Sequence, residues 1–395
     1  MTSSLLPEPL SLILSAAALG QALLCASLLI SGAGRVSGSE HRRWLAAVFA
    51  ALALLTTGPV TAAIAPALYP LAMGLVLAAA YALPSLVWLY TVELTAQEAH
   101  PIRLGRWRHA LAGLAGGSGL LAILILPSHD RLEMFVTGAL PENPLAGLVA
   151  LWLFVLVLAW NIVSGAYAVA ILRRLAAYRE RLRDLFSNTD GRELYWLSGL
   201  IAVLAAAWVL AVSILLIENL LAPLPLPASL GPVMVLSLII AFALKGFEQK
   251  PGLMSEDIPQ EPAEEMAGNG AKYQKSALGE VQAARIADKL SAAMRDDRVF
   301  LDPGLSLQKL SRHIGVAPNL VSQTLNQKLE ETFFDFVNRW RINSALPRIA
   351  EGKDTVLTIA LDVGFNTRST FYAAFKQVTG TTPREYQKSN APGGN

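Results

Sequence analysis

The sequence predicts an all-α protein in two parts: a seven-helix transmembrane bundle, then a small all-helical domain with two helix-turn-helix motifs. Three observations predict it. Charge is divided unevenly, with 14 Lys+Arg and 12 Asp+Glu in residues 1–247 but 18 of each in residues 248–395. Seven long, uninterrupted apolar runs all fall in the first part. Twice in the second part a short apolar stripe meets a glycine and then a second amphipathic stripe. Apolar surface on the scale of the first part has to be buried in something other than water. A single-domain soluble enzyme is therefore excluded, and a hydrophobic share of 53% excludes disorder. Cys25 is the only cysteine, so there is no intrachain disulfide framework and no multi-cysteine metal site.

The apolar runs cover residues 10–30, 44–65, 71–92, 109–126, 145–172, 194–217 and 230–247. About 20 apolar residues in a helix span the hydrocarbon core, and a lipid-exposed segment must satisfy its own backbone hydrogen bonds. None of the runs alternates, which argues against barrel strands. The first run lacks the basic leading segment of a cleavable signal, because no Lys or Arg precedes Arg35.

Arginine sets the orientation. The loops after runs one, three and five hold 12 Arg between them, among them Arg42, Arg43, Arg103 and Arg192. The loops after runs two, four and six hold only Arg131. By the positive-inside rule the odd loops are cytoplasmic. The expectation is a multi-pass protein of a bacterial inner membrane, with its N-terminus outside and its C-terminal domain in the cytoplasm.

Within the runs, Asn161 reads as interhelical glue, and Gly113 with Gly117 as a small-xxx-small packing pair. Pro59 and Pro84 are expected to kink their helices. Lys245 lies at the cytoplasmic edge of run seven, where a lysine snorkels to the headgroups and does not hold a retinal. The loop 127–144 carries His129, Asp130, Glu133 and Glu142 against Arg131 and reads as a solvated connector. Residues 248–275 hold three Pro, three Gly and five acids besides Glu248, a composition that builds no core and reads as a flexible acidic linker.

The second domain is expected over 276–390. Val281, Ala284, Ile286, Leu290 and Met294 share an apolar face in its first helix. Helix-turn-helix patterns follow at about 307–329 and 358–379. In the first, Leu307, Leu310 and Ile314 form the stripe, Gly315 the turn, and a helix from Pro318 buries Leu320, Val321 and Leu325. Its other face shows Asn319, Ser322, Gln323 and Asn326, short hydrogen-bonding side chains suited to a major groove. In the second, Ile359, Ala360 and Val363 lead to Gly364 and Phe365. A helix from about Arg368 to Thr379 then buries Phe371 and Phe375 and turns Arg368, Ser369, Tyr372 and Lys376 outward. A connecting helix over 334–349 joins the two.

Residues 277–388 resemble the double helix-turn-helix DNA-binding domain of AraC-type transcription regulators. The match rests mostly on Ile359-Ala360, Gly364-Phe365, Ser369, Phe371, Phe375-Lys376, Gly380, Thr382-Pro383 and Tyr386, and more loosely on Leu310, Gly315, Leu325, Phe336, Arg341-Ile342 and Ala345. The whole layout is similar to the membrane-embedded variety. The resemblance implies sequence-specific binding of double-stranded promoter DNA. Base contacts would fall on Asn319, Ser322, Gln323, Arg368, Ser369 and Tyr372. The cations expected on phosphates are Lys309, Arg312, Lys328, Arg339, Arg341 and Lys376. Two departures stand out: Ala373 where the family often has Arg, and Pro347 inside the connecting helix, where it removes a hydrogen bond and clashes with the preceding turn.

The reading is a membrane-embedded transcription regulator that is not an enzyme and uses no cofactor. Residues 272–388 hold 17 Lys+Arg against 12 Asp+Glu, a mild positive balance that suits DNA. Its partners would be promoter DNA, the lipid bilayer and a small-molecule or membrane signal. With a flexible linker, the simplest route for that signal is a change in self-association, hence a homodimer. The competing reading is a membrane transporter or sensor whose cytoplasmic helical domain binds a protein partner. It lacks a metal-ligating helix motif, a phosphate-cradling glycine loop or a clustered set of the five histidines.

Overall fold

The computed structural model describes residues 8–33, 40–96, 106–220, 227, 229–247, 249 and 279–390. The linker over 248–275, Gln249 apart, lies outside the described residues, as do Arg35 and Arg103. Among the described residues the secondary structure is helical, apart from one antiparallel bridge between Phe186 and Ser306. The chain divides into two compact units. One holds residues up to Leu175 and again Leu194–Pro251; the other holds Ala176–Glu193 together with the C-terminal region.

The first unit contains α1 (Pro9–Ala33), α2 (Glu40–Leu55), α3 (Thr57–Ile64), α4 (Tyr69–Leu94), α5 (Arg106–Ile125), α6 (Ser128–Leu132), most of α7 (Pro144–Leu185), α8 (Tyr195–Leu220) and α9 (Leu230–Gly246). Among the described residues, three stretches are long and apolar enough to cross a membrane: Pro9–Ser31, Pro66–Leu94 and Pro144–Leu185. The second apolar run is not one straight rod. It breaks between α2 and α3 with a 42° bend, three residues before Pro59. There the Thr56 and Thr57 hydroxyls donate to the Ala53 and Leu54 carbonyls, three residues back, and Pro59 offers no N–H to the Leu55 carbonyl. Pro84, by contrast, sits inside a continuous α4. Leu111–Ile125, Tyr195–Ala206 and Leu230–Gly246 are shorter apolar stretches.

Close packing in this unit depends on small residues, but not on the expected pair. Nothing lies within 4 Å of a Cβ built on Gly113 or Gly117. The tight approach is at Gly116, whose added Cβ would stand 2.8 Å from the Ala78 Cα, and at Gly119, 2.6 Å from a Leu77 methyl. Spacing of four was the wrong register because the face of α5 that meets α4 carries Gly116 and Gly119, three apart. Polar side chains then tie α7 to its neighbours. The Tyr81 hydroxyl donates to the Leu156 carbonyl at 2.5 Å, and the Trp160 indole N–H to the Ala80 carbonyl at 2.8 Å. Arg174 donates to the Thr95 hydroxyl at 2.7 Å and reaches the Val92 carbonyl, a cation at the C-terminal end of α4 where the helix dipole favours one. Asn161 donates to the Val157 carbonyl of its own helix at 2.6 Å.

The second unit contains the end of α7, the turn that follows it, and α10 (Glu280–Arg295), α11 (Leu307–Ile314), α12 (Pro318–Lys328), α13 (Phe333–Glu351), α14 (Val356–Asp362), α15 (Arg368–Thr379) and α16 (Pro383–Asn390). Its core is in two clusters threaded by α13. Phe333, Phe336 and Val337 join Ile286, Leu290, Met294, Leu310, Val321 and Leu325. Ile342, Ala345 and Ile349 join Ile359, Ala360, Phe365, Phe371 and Phe375. The buried face of α10 is Ala283, Ile286, Leu290, Ala293 and Met294; Val281, expected on it, is 69% exposed, at the helix start. Pro347 does not end α13, which continues to Glu351. The Asn343 carbonyl that loses its donor there belongs to an exposed residue, so water can satisfy it.

Helix starts in this unit are marked by hydroxyl caps. Ser306, Thr332, Thr355 and Thr367 each accept a hydrogen bond from the backbone N–H three residues on. Such a cap is worth about 1 kcal/mol. Gly315 closes α11 with a φ of 65°, the left-handed region that a glycine enters without strain. Gly364 has a φ of 98°, and a Cβ there would stand 2.8 Å from the Phe300 carbonyl oxygen. The turn between α14 and α15 therefore needs glycine for both conformation and space.

Candidate nucleic-acid interface

Each of α12 and α15 is the second helix of a helix–turn–helix pair, and each buries one stripe. In α12, Val321, Thr324 and Leu325 are buried, and Pro318 at its first turn fixes the start. The opposite side holds exposed Asn319 and half-buried Ser322 and Gln323. The Asn319 side-chain oxygen accepts from the Leu320 N–H at 2.9 Å, while the Gln323 amide donates to Gln327 at 3.1 Å. In α15, Phe371, Ala374 and Phe375 are buried, which leaves Arg368, Ser369, Ala373 and Lys376 exposed. Arg368 donates to the Tyr372 hydroxyl at 3.0 Å, and its guanidinium lies 4.9 Å from the centre of that ring. The guanidinium therefore rests against Tyr372, one turn along the same helix; a planar fork of this kind suits a guanine edge or a phosphate.

The six cations expected on phosphates separate sharply. Arg312 and Lys376 are exposed. Lys309 is paired with Asp302 at 2.9 Å, Lys328 lies 3.7 Å from Glu280, and Arg339 makes a two-pronged pair with Glu331 at 2.7 and 2.8 Å. Arg341 is a correction: it is 0% exposed and takes no part in the surface. Its Nε donates to the Phe300 carbonyl at 2.8 Å, and Nη2 to the Asp302 carbonyl at 2.8 Å and the Ser187 hydroxyl at 3.1 Å. Nη1 donates to the Ser187 carbonyl at 3.2 Å. The guanidinium also stands over the Phe365 ring. Burial lowers its pKa to about 10, opposed by the charge of Asp302.

Arg341 thus joins three distant pieces of chain: α13, the 300–302 turn and the turn after α7. That last turn is a participant that sequence reasoning missed. The Phe186–Ser306 bridge, with Ser187 donating from both its N–H (3.2 Å) and its hydroxyl (2.7 Å) to the Leu305 carbonyl, fixes it on the unit. Further along, the Asp190 carboxylate accepts from the Thr370 hydroxyl at 3.0 Å and the Thr367 hydroxyl at 3.3 Å, at the start of α15. Nothing in the local pattern of 186–190 signals this, because its partners lie 118 to 180 residues away.

Elsewhere, His129, Asp130 and Glu133 bring three metal-capable atoms within 4.8 Å of one another. The His129 side chain is 86% exposed and faces the two carboxylates at 3.6 and 3.8 Å, an ordinary surface charge cluster.

Comparison with known proteins agrees with this geometry. Residues 310–389 match a protein family described as a helix-turn-helix domain. An uncharacterized HTH-type transcriptional regulator of Staphylococcus aureus (strain COL) is 29% identical over 100 residues, which are 25% of this chain and 13% of that one. The melibiose operon regulatory protein of Escherichia coli (strain K12) is 25% identical over 87 residues, 22% of this chain and 29% of that one. Among solved structures, the C-terminal domain of AraT, a response regulator from Geobacillus stearothermophilus, is 22% identical. That similarity covers 30% of this chain and 92% of that one, with a TM-score of 0.25. The chain spans well under a third of the length of these curated relatives. Its residues 310–389 thus match a helix-turn-helix domain and are similar to stretches of transcriptional regulators.

Proposed function

We propose that this chain is a membrane-embedded transcription regulator that binds promoter DNA sequence-specifically through its double helix-turn-helix domain, under the control of a signal received in or beyond the membrane. The observation that carries the reading is α15: a helix with a fully buried aromatic stripe whose other side offers Arg368, Ser369 and Tyr372. α12 repeats the arrangement with Asn319, Ser322 and Gln323. Two such helices on one α13 spine suit successive major grooves of one DNA face. Membrane embedding is supported by the apolar helices of the first unit, and the alternation of arginine-rich and arginine-poor loops supports a cytoplasmic DNA-reading end. The seven runs are read as seven crossings, the second of them bent at Thr56.

Mapping the chromosomal DNA held by tagged full-length protein tests the proposal. Discrete promoter sites are expected. R368A and Q323A each remove a base contact and are expected to cut site occupancy about tenfold to a hundredfold while leaving the protein in the membrane fraction. Uniform, sequence-independent occupancy, or sites unaffected by both substitutions, would overturn it. So would a reporter fused behind Asn395 that is active only on the outer face.

A further inference from the structure

The turn over 186–191 belongs to the second unit although it comes from the middle of the chain, between the apolar helices α7 and α8. It is docked at two places. At one, Ser187 accepts from buried Arg341 through its carbonyl and hydroxyl oxygens, and its hydroxyl donates to the Leu305 carbonyl. At the other, the Asp190 carboxylate accepts from Thr367 and Thr370. The Asp190 N–H is itself held by the Asn188 side chain at 3.0 Å, so the carboxylate is presented by an ordered turn.

The second place matters for recognition. Thr367 caps α15, and Arg368 and Ser369 follow at once. In helix-turn-helix proteins the N-terminal residues of the second helix approach the base edges. The start of α15 also carries partial positive charge that would otherwise favour a phosphate. A carboxylate fixed there meets the DNA backbone as a like charge and uses the hydroxyls that a phosphate would need.

Resting on the reading of α15 as a DNA-reading helix, we infer that the 186–191 turn is an inhibitory strap: anchored by Ser187 on Arg341, it holds Asp190 against Thr367 and Thr370, and DNA engages α15 only when the strap withdraws. The strap follows α7 directly and is separated from α8 only by residues 192–194. A rearrangement of those helices is therefore transmitted to the strap directly, in addition to whatever the 248–275 segment does. The two positions of the strap, docked and withdrawn, are the two states that a signal has to distinguish.

The test uses the full chain in lipid nanodiscs and a fluorescent mixed-sequence duplex of about 30 bp, long enough for two successive grooves. Wild type, D190N, D296N and R368A are compared by anisotropy at one salt concentration. Asp296 is an exposed acid elsewhere in the same unit and controls for the loss of one negative charge. D190N is expected to tighten binding about fivefold to tenfold, with D296N within about twofold of wild type. Hydrogen exchange over 187–191 is expected to rise when duplex is added to wild type. If D190N tightens binding no more than D296N does, or if exchange over 187–191 does not change while duplex binds, the strap is wrong. If wild type and D190N bind duplex no better than R368A, the reading of α15 fails and the strap with it.

Discussion

The two units solve burial in opposite ways. In the first, large apolar side chains point outward along whole helices: Ile13, Leu24 and Ile30 on α1, and Leu148, Leu151, Phe154 and Ile162 on α7. Its tightest contacts are made by Gly116 and Gly119. In the second, apolar groups are gathered inside and among the described residues only Val281, Leu357, Leu361 and Val378 are large, apolar and exposed. Its largest fully buried side chain is an arginine. The contrast shows which forces each unit has available. On the membrane reading proposed above, lipid offers no hydrophobic drive between helices, which leaves close backbone approach and polar ties to hold the first unit. Water drives the second unit together, and the burial of a charged group there is offset by hydrogen bonds such as those of Arg341.

The largest effect should come from removing the buried charge. R341M leaves the Phe300 and Ser187 carbonyls without the donors that Arg341 gives them, and the second unit is expected to lose about 3–5 kcal/mol of stability. Hydrogen exchange resolved along the chain would show this as faster exchange in α13 and α15 with α4 and α5 unchanged. A loss spread equally over both units would break the contrast.

A pair of truncations sharpens it next. Leu325 is 1% exposed and Ile162 is 76% exposed. L325A is expected to cost about 2–5 kcal/mol in the second unit, the range for a buried leucine. I162A removes a side chain that faces outward and is expected to change stability in bilayers by less than about 0.5 kcal/mol. Thermal unfolding of the two variants in nanodiscs measures both; equal losses would show that α7 is packed inside protein.

The smallest effect is an acid one. Burial pushes the Asp302 carboxyl up, but the hydrogen bonds from Lys309 and the Gly304 N–H, with the charges of Lys309 and Arg341, outweigh it and hold its pKa below the usual 3.8. A carboxylate with a lowered folded pKa stabilises above its unfolded value, and that stabilisation is lost as pH falls through the folded one. Wild type is therefore expected to weaken more than D302N on titration below about pH 4, because only wild type has this proton to take up. Parallel curves for the two proteins would assign the acid loss to other groups.

What was legible in the sequence was whatever repeats within a turn or two of helix. Phe371 and Phe375, four apart, mark the buried side of α15, and Gly364 marks a turn that tolerates no Cβ. Arg368 and Ser369 face outward because the stripe behind them leaves them no other direction. Arg341 could not be read this way. Its charge in a basic domain suggests the surface although it lies in register with buried Val337 and Ala345, and its four acceptors come from residues 187, 300 and 302. The register of the α5 glycines failed for a related reason. Composition says that small residues pack, but only the neighbouring helix decides which of four glycines meets it.

Arg341 also bears on how such a protein can be assembled from parts. A tail beginning at Glu280 is not a portable cassette, because the guanidinium at its centre spends two of its donor bonds on Ser187, a residue encoded nearly a hundred codons upstream. Grafting the tail onto a different N-terminal region would strand those donors unless the graft carried the 186–191 turn as well. A unit whose chain is contributed in two pieces is inherited in two pieces, so any exchange of tails must bring the upstream piece along.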